Sequence, residues 1–116
     1  MVVVLEYNRV YLINYNKFLT YDNDKLFDIV FYSTNILLKD IAIKVLINDN
    51  RLLDSDLNYL KLYRLVDLLT IDQLAYLSNF DDYYPVALLS KMKILSMYEM
   101  SFSKKDSDNI LYLSKK

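Results

Sequence analysis

Few of the residue types that usually carry out chemistry are present. The chain has no His and no Cys, which removes thiol nucleophiles, disulfides, the usual zinc ligands and the one side chain that titrates near neutrality without help. It also has no Gly, so phosphate-cradling loops and dinucleotide fingerprints, which need φ > 0 and close backbone approach, are excluded. Three Asp-x-Asp pairs remain, Asp22/Asp24, Asp54/Asp56 and Asp106/Asp108, and paired carboxylates can hold Mg²⁺ or Ca²⁺. The Gly and distal Glu of a calcium loop follow none of them at the required spacing, and each pair lies where a cap or a turn is expected. No nucleophile stands beside a plausible base. The chain reads as a non-enzyme, with no catalytic residue, no metal ligand set and no cofactor.

Binding chemistry is better represented. Residues 1–84 carry eight Lys or Arg against twelve Asp or Glu, whereas residues 85–116 carry six Lys against three acids, so a basic end follows an acidic remainder. A basic patch can be the footprint of a polyanion. Twelve Tyr could stack on bases, but Tyr7, Tyr11, Tyr15, Tyr63 and Tyr76 recur at strand or helix spacing and read as packing residues.

These groups need a scaffold. At 116 residues, 54% hydrophobic and 25% charged, the chain is expected to fold as a single domain, 1–116. The opening apolar run is too short for a signal-peptide core, and no 18 consecutive apolar residues occur, so the expectation is an intracellular, cytoplasmic protein with no membrane segment. Val2–Tyr7 and Val10–Tyr15, rich in β-branched and aromatic residues, flank Asn8-Arg9 and predict a β-hairpin within residues 1–20. Between 24 and 48, Phe27, Val30, Phe31, Leu37, Leu38, Ile41 and Val45 recur at helical steps. That segment is either one helix or a helix broken near Ser33-Thr34-Asn35 with a strand from Ile36. Asn48-Asp49-Asn50 ends it. Ser55 or Asp56 can cap the next helix, Thr70-Ile-Asp-Gln73 forms a capping box for another, and Pro85 suits the first turn of a third, whose buried face would be Leu88, Leu89, Met92 and Leu95. From Met97 alternation replaces the helical period, around the polar turn Lys104–Asn109, which predicts a second hairpin closed by Ile110 and Tyr112. The fold class expected is mainly α (α+β): hairpin, long helix, then a three-helix unit with a C-terminal β-wing over 57–114. The core expected is Leu26, Phe27, Val30, Phe31, Ile41, Val45, Leu60, Leu65, Leu69, Leu74, Leu77, Leu88, Leu89, Met92, Leu95, Ile110 and Tyr112.

Residues 57–114 resemble a winged helix-turn-helix domain of the MarR/SarA type. Thr70, Gln73, Leu74 and Ala75 match the start of the second helix of such domains, and Leu88, Leu89 and Met92 the inward positions of the recognition helix. Met97-Tyr98-Glu99 matches the step into the wing, Lys104–Asp108 its tip, and residues 24–48 the long N-terminal helix. The resemblance implies a transcription-regulator-like protein that contacts DNA through Tyr83, Tyr84, Ser90, Lys91, Lys93, Lys104 and Lys105. The third helix offers no Arg for bidentate base readout. The same segment is similar to the winged-helix end of PCI-type scaffold subunits, and Val2–Phe80 to the BTB/POZ and elongin C type of cullin adaptor with a strand at Ile36–Asp40. Both imply a non-enzymatic interaction scaffold whose partner is protein rather than DNA. The stripe Phe27, Val30, Phe31, Leu37, Leu38 and Ile41 exceeds what one small domain can cover, so it predicts an interface and a homodimer or hetero-complex. If duplex DNA is the ligand, about four phosphate contacts give a slope of log K on log[salt] near −3 to −4 in a salt titration.

Overall fold

The computed structural model describes residues 2–114, and the side chains of residues 8–99. The described residues form six helices and no strand: α1 Val2–Phe18, α2 Asn23–Tyr32, α3 Ile36–Asn48, α4 Tyr59–Val66, α5 Ile71–Ser78 and α6 Pro85–Ser114. They divide into two compact units, one up to Lys61 and one from Leu62, with the boundary inside α4. No helix among them is long and apolar enough to cross a membrane.

Two hairpins are therefore corrected to helices. The N-terminal one is the interior of α1, and the expected wing, from Met97 through Lys104–Asp108 to Leu113, is the second half of the 30-residue α6. The physical reason is shared. A tight two-residue hairpin turn needs φ > 0, and neither Asn8-Arg9 nor the Lys104–Asn109 stretch contains the residue that adopts it without a Cβ clash. Among the described residues the one positive φ is that of Asn50, at 55°. β-propensity depends on cross-strand packing rather than on backbone preference, so Val and Tyr in α1 follow the neighbour available to them. That neighbour is α3, against which α1 packs.

In the first unit α1 and α2 both lie on α3. Phe18 is buried at the end of α1, and Tyr11 and Tyr15, one helical turn apart, stack at 6.2 Å. Lys44 of α3 sits 5.2 Å from the centre of the Tyr11 ring and 3.1 Å from Asp40. The hydrogen bond to Asp40 holds its ammonium above the usual Lys value against the opposing effect of burial, with Tyr11 adding to the rise. α2 begins where the Asp22 carboxylate accepts from the Lys25 amide at 2.8 Å. The chain then breaks at Ser33–Asn35 and restarts with Asn35 capping the Leu38 amide. The strand from Ile36 is thus replaced by α3, because Asn35 supplies a helix N-cap and α3 buries Ile41, Ala42, Val45 and Leu46 on α1 and α2. Asn58, not Ser55 or Asp56, caps α4, its side-chain oxygen accepting from the Leu60 and Lys61 amides.

The α1–α2 turn is held by Arg51, which follows the left-handed Asn50. One guanidinium nitrogen donates to the Leu19 carbonyl at 2.7 Å, another to the Tyr21 carbonyl, and Nε to Asp49 at 2.9 Å. Its side chain is only 15% exposed.

In the second unit α5 packs on α6. Thr70 and Gln73 form the expected capping box in both directions, at 3.2 and 2.9 Å, and α6 starts at Pro85 as expected. The core consists of Leu62, Leu65, Val66, Leu69, Leu74, Leu77, Val86, Ala87 and Leu89. Ten of the expected core positions are buried: Leu26, Phe27, Val30, Ile41, Val45, Leu65, Leu69, Leu74, Leu77 and Leu89. Phe31 is half-buried and Leu60, Leu88, Met92 and Leu95 are exposed; Ile110 and Tyr112 lie outside the described side chains.

Arg51→Ala leaves two loop carbonyls without their charged donor and should lower the unfolding free energy by about 2 kcal/mol in urea denaturation, at the scale of hydrogen bonds to charged groups. Arg51→Lys should recover less than half of that, because an ammonium lacks the planar fork that reaches both carbonyls. Thr70→Ala should cost about 1 kcal/mol by the same measurement, the usual effect of losing an N-cap.

Candidate functional site

The residues expected to meet DNA are not assembled into one basic surface among the described side chains. Tyr83 is exposed just ahead of α6, its amide bonded to the Asp81 carboxylate at 2.7 Å and its ring edge-on to Tyr84 at 5.6 Å. Tyr84 is half-buried. Ser90 is fully buried and its Oγ has no hydrogen-bond partner, so it faces the unit's interior and not a base edge. Lys91 is paired with Asp82, and Lys93 with Asp67 at 2.8 Å. Both helix lysines therefore already have a carboxylate from their own chain beside them. Lys104 and Lys105 fall in α6 instead of a wing turn, and their side chains lie outside the described residues.

The stripe expected to form an interface is mostly consumed by the chain itself. Phe27, Val30 and Ile41 are buried, and Phe31, Leu37 and Leu38 are half-buried. The break at Ser33–Asn35 folds the stripe back on itself, so that α2 and α3 cover each other. Of the Asp-x-Asp pairs, Asp22 is a helix cap, Asp24 pairs with Lys61 at 3.1 Å and Asp54 accepts from the Asp56 amide in a turn. Asp106/Asp108 lie outside the described side chains. No group of three or more potential metal ligands occurs among the described residues.

A different surface emerges on α6. Val86-Ala87-Leu88-Leu89 is an uninterrupted apolar run, and at about 100° per residue four successive positions cover most of the helix circumference. Any face could have been the buried one. Packing chose Val86, Ala87, Leu89 and Ser90, whose small members admit α5 closely. The other phase, Leu88, Met92 and Leu95 at successive helical turns, is left in solvent at 41%, 51% and 61% exposure, with Tyr98 beside it at 74%. Unlike scattered surface leucines, these form a continuous seam.

The seam borders a recess between α4 and α6 lined by Tyr63, Val66, Asp67, Leu89, Met92, Lys93 and Ser96, with a volume of about 170 Å³. Small-molecule sites typically run to about 300–1,000 Å³, so this recess suits a single inserted side chain. Its floor is apolar and its rim carries the Asp67–Lys93 pair, an arrangement that receives an apolar anchor and orients polar atoms around it. The signal was present in the sequence as the Leu88/Met92/Leu95 spacing, read there as a core face.

The chain matches no family model, no curated protein and no solved structure.

The phase of α6 is directly testable by truncation. Leu89→Ala should destabilise the chain by about 2–4 kcal/mol, as for large-to-small core changes. In dilute solution, where unfolding reports the single chain, Leu88→Ala and Leu95→Ala should each stay within about 0.5 kcal/mol, as for surface positions. Thermal or urea unfolding of the three variants gives the comparison.

Proposed function

We propose that this chain is a non-enzymatic interaction module that docks another protein surface on the α6 seam and the recess beside it. The observation that carries this reading is the solvent exposure of Leu88, Met92 and Leu95 in register on one helix face next to an apolar recess of side-chain size. A helix or an apolar loop is the fitting class of partner, because helix-in-groove recognition uses anchors at the same three- and four-residue spacing. Tyr63 and Tyr98 flank the seam and supply the rigid aromatic area typical of interface centres.

Nucleic-acid binding is the weaker reading. Lys91 and Lys93 are matched by Asp82 and Asp67, so a phosphate would have to displace a carboxylate already in place, and counterion release, the main driving force for such binding, is correspondingly reduced.

Both readings are separated by one set of measurements on the full chain. With the native chain as bait, a partner should be retained that is lost with Met92→Asp/Leu95→Asp, while helicity by circular dichroism is unchanged because both side chains are already in water. Fluorescence anisotropy with duplex DNA at about 50 mM salt should show no binding. Affinity for DNA that falls steeply with salt and depends on Lys104 and Lys105 would overturn the protein-docking reading.

A further inference from the structure

We infer that the occupant of the α6 seam is the α6 seam of a second copy of this chain, packed antiparallel about a two-fold axis near Leu95; this rests on the docking reading above and names its partner. The charges along the seam select the arrangement. Glu99 follows Leu88, Met92 and Leu95 at the next helical turn and is exposed with them, and Lys91, half-buried, lies one turn before Leu95 on the seam's flank. In a parallel pair each Glu99 would face its own copy across an apolar contact, a like-charge juxtaposition that costs stability. Counting outward from Leu95 in opposite directions, the antiparallel pair brings Lys91 opposite the partner's Glu99, twice by symmetry. It also sets Met92 opposite the partner's Tyr98, a contact between a flexible thioether and a ring. The seam is thus self-complementary, as an isologous two-fold interface requires.

The positions paired about Leu95, from Lys91 to Glu99, run along roughly 12 Å of helix at about 1.5 Å per residue. A specific interface buries about 800 Å² on each partner, more than this span of one helix presents, so the exposed parts of Tyr63 and Tyr98, at 56% and 74%, have to be included in the contact. Lys91 is already paired with Asp82, so the partner's Glu99 competes for a neutralised ammonium; the charges set the orientation of the pair and the apolar contacts carry the association.

Sedimentation equilibrium of the full chain across a concentration series tests the pairing. The native chain should be a dimer, and Leu95→Asp a monomer with unchanged circular dichroism. Lys91→Glu and Glu99→Lys should each weaken the dimer roughly tenfold, and the double exchange Lys91→Glu/Glu99→Lys should restore it to within about threefold. Thermal melts of the same variants separate loss of the Asp82 pair from loss of the dimer. The chain has no Cys, so Leu95→Cys introduces a unique thiol, which should give a disulfide-linked dimer on oxidation while Ile36→Cys, at an exposed site in the first unit, does not. A native chain that stays monomeric at about 100 μM, or charge exchange without restoration, overturns the antiparallel homodimer. If a monomer still retains another protein through Met92 and Leu95, the docking reading stands and only the second copy falls; if nothing depends on the seam, both fall.

Discussion

The guanidinium of Arg51 is the contact on which the first unit's layout depends. It sits immediately after the left-handed Asn50 at the end of α3 and donates to the carbonyls of Leu19 and Tyr21 in the α1–α2 turn, with Asn23 also within 3.4 Å. Those carbonyls belong to the turn that leaves α1, where they lie outside the regular helical ladder. One side chain therefore ties the exit of α1, the entry of α2 and the end of α3 to a single point. Its shielding from water strengthens each bond relative to an exposed contact.

The same problem, turning a chain that has no glycine, is solved elsewhere by other side chains. Asp22, Asn35, Asn58 and Thr70 each accept from an amide at the start of a helix, at 2.8 to 3.2 Å. Pro85 starts α6 without needing a partner for its absent N–H. Helix starts can be capped by Asx and Thr residues, whereas tight β-turns need positive φ. A glycine-free chain of this composition is accordingly biased toward helices joined by capped breaks, and α6 runs on through the stretch that alternates in sequence.

Two consequences for function follow from how α6 is seated. Its buried phase takes Val86, Ala87, Leu89 and Ser90 to α5, and the alternative apolar phase is left as the seam. Lys91 and Lys93 are drawn into ion pairs with Asp82 and Asp67, and Asp67 lies on α4's side of the recess. Among the described side chains, packing thereby balances the two lysines that face the candidate site and leaves an apolar seam beside them. Exposed ion pairs of this kind add little stability individually; their effect here is on which partner the surface suits.

Local signals were legible in the sequence wherever a few adjacent residues settle the matter. The Thr70–Gln73 capping box, Pro85 at the first turn of α6, Asp22 as a cap, the stop at Asn48–Asn50 and the buried positions of α2 and α5 all follow from short-range hydrogen bonding and an unambiguous period. Three decisions belonged to the tertiary structure. Whether Val2–Tyr15 is strand or helix depended on the presence of α3 as a packing partner, since β-branched and aromatic residues serve either state. Which side of α6 is buried could not be read from Val86–Leu89, because an apolar run without polar interruption has no phase of its own and acquires one only from the helix that packs on it. Whether Lys91 and Lys93 are available to a polyanion depended on Asp82 and Asp67, nine and twenty-six residues away respectively, and no spacing rule along the chain brings such groups together.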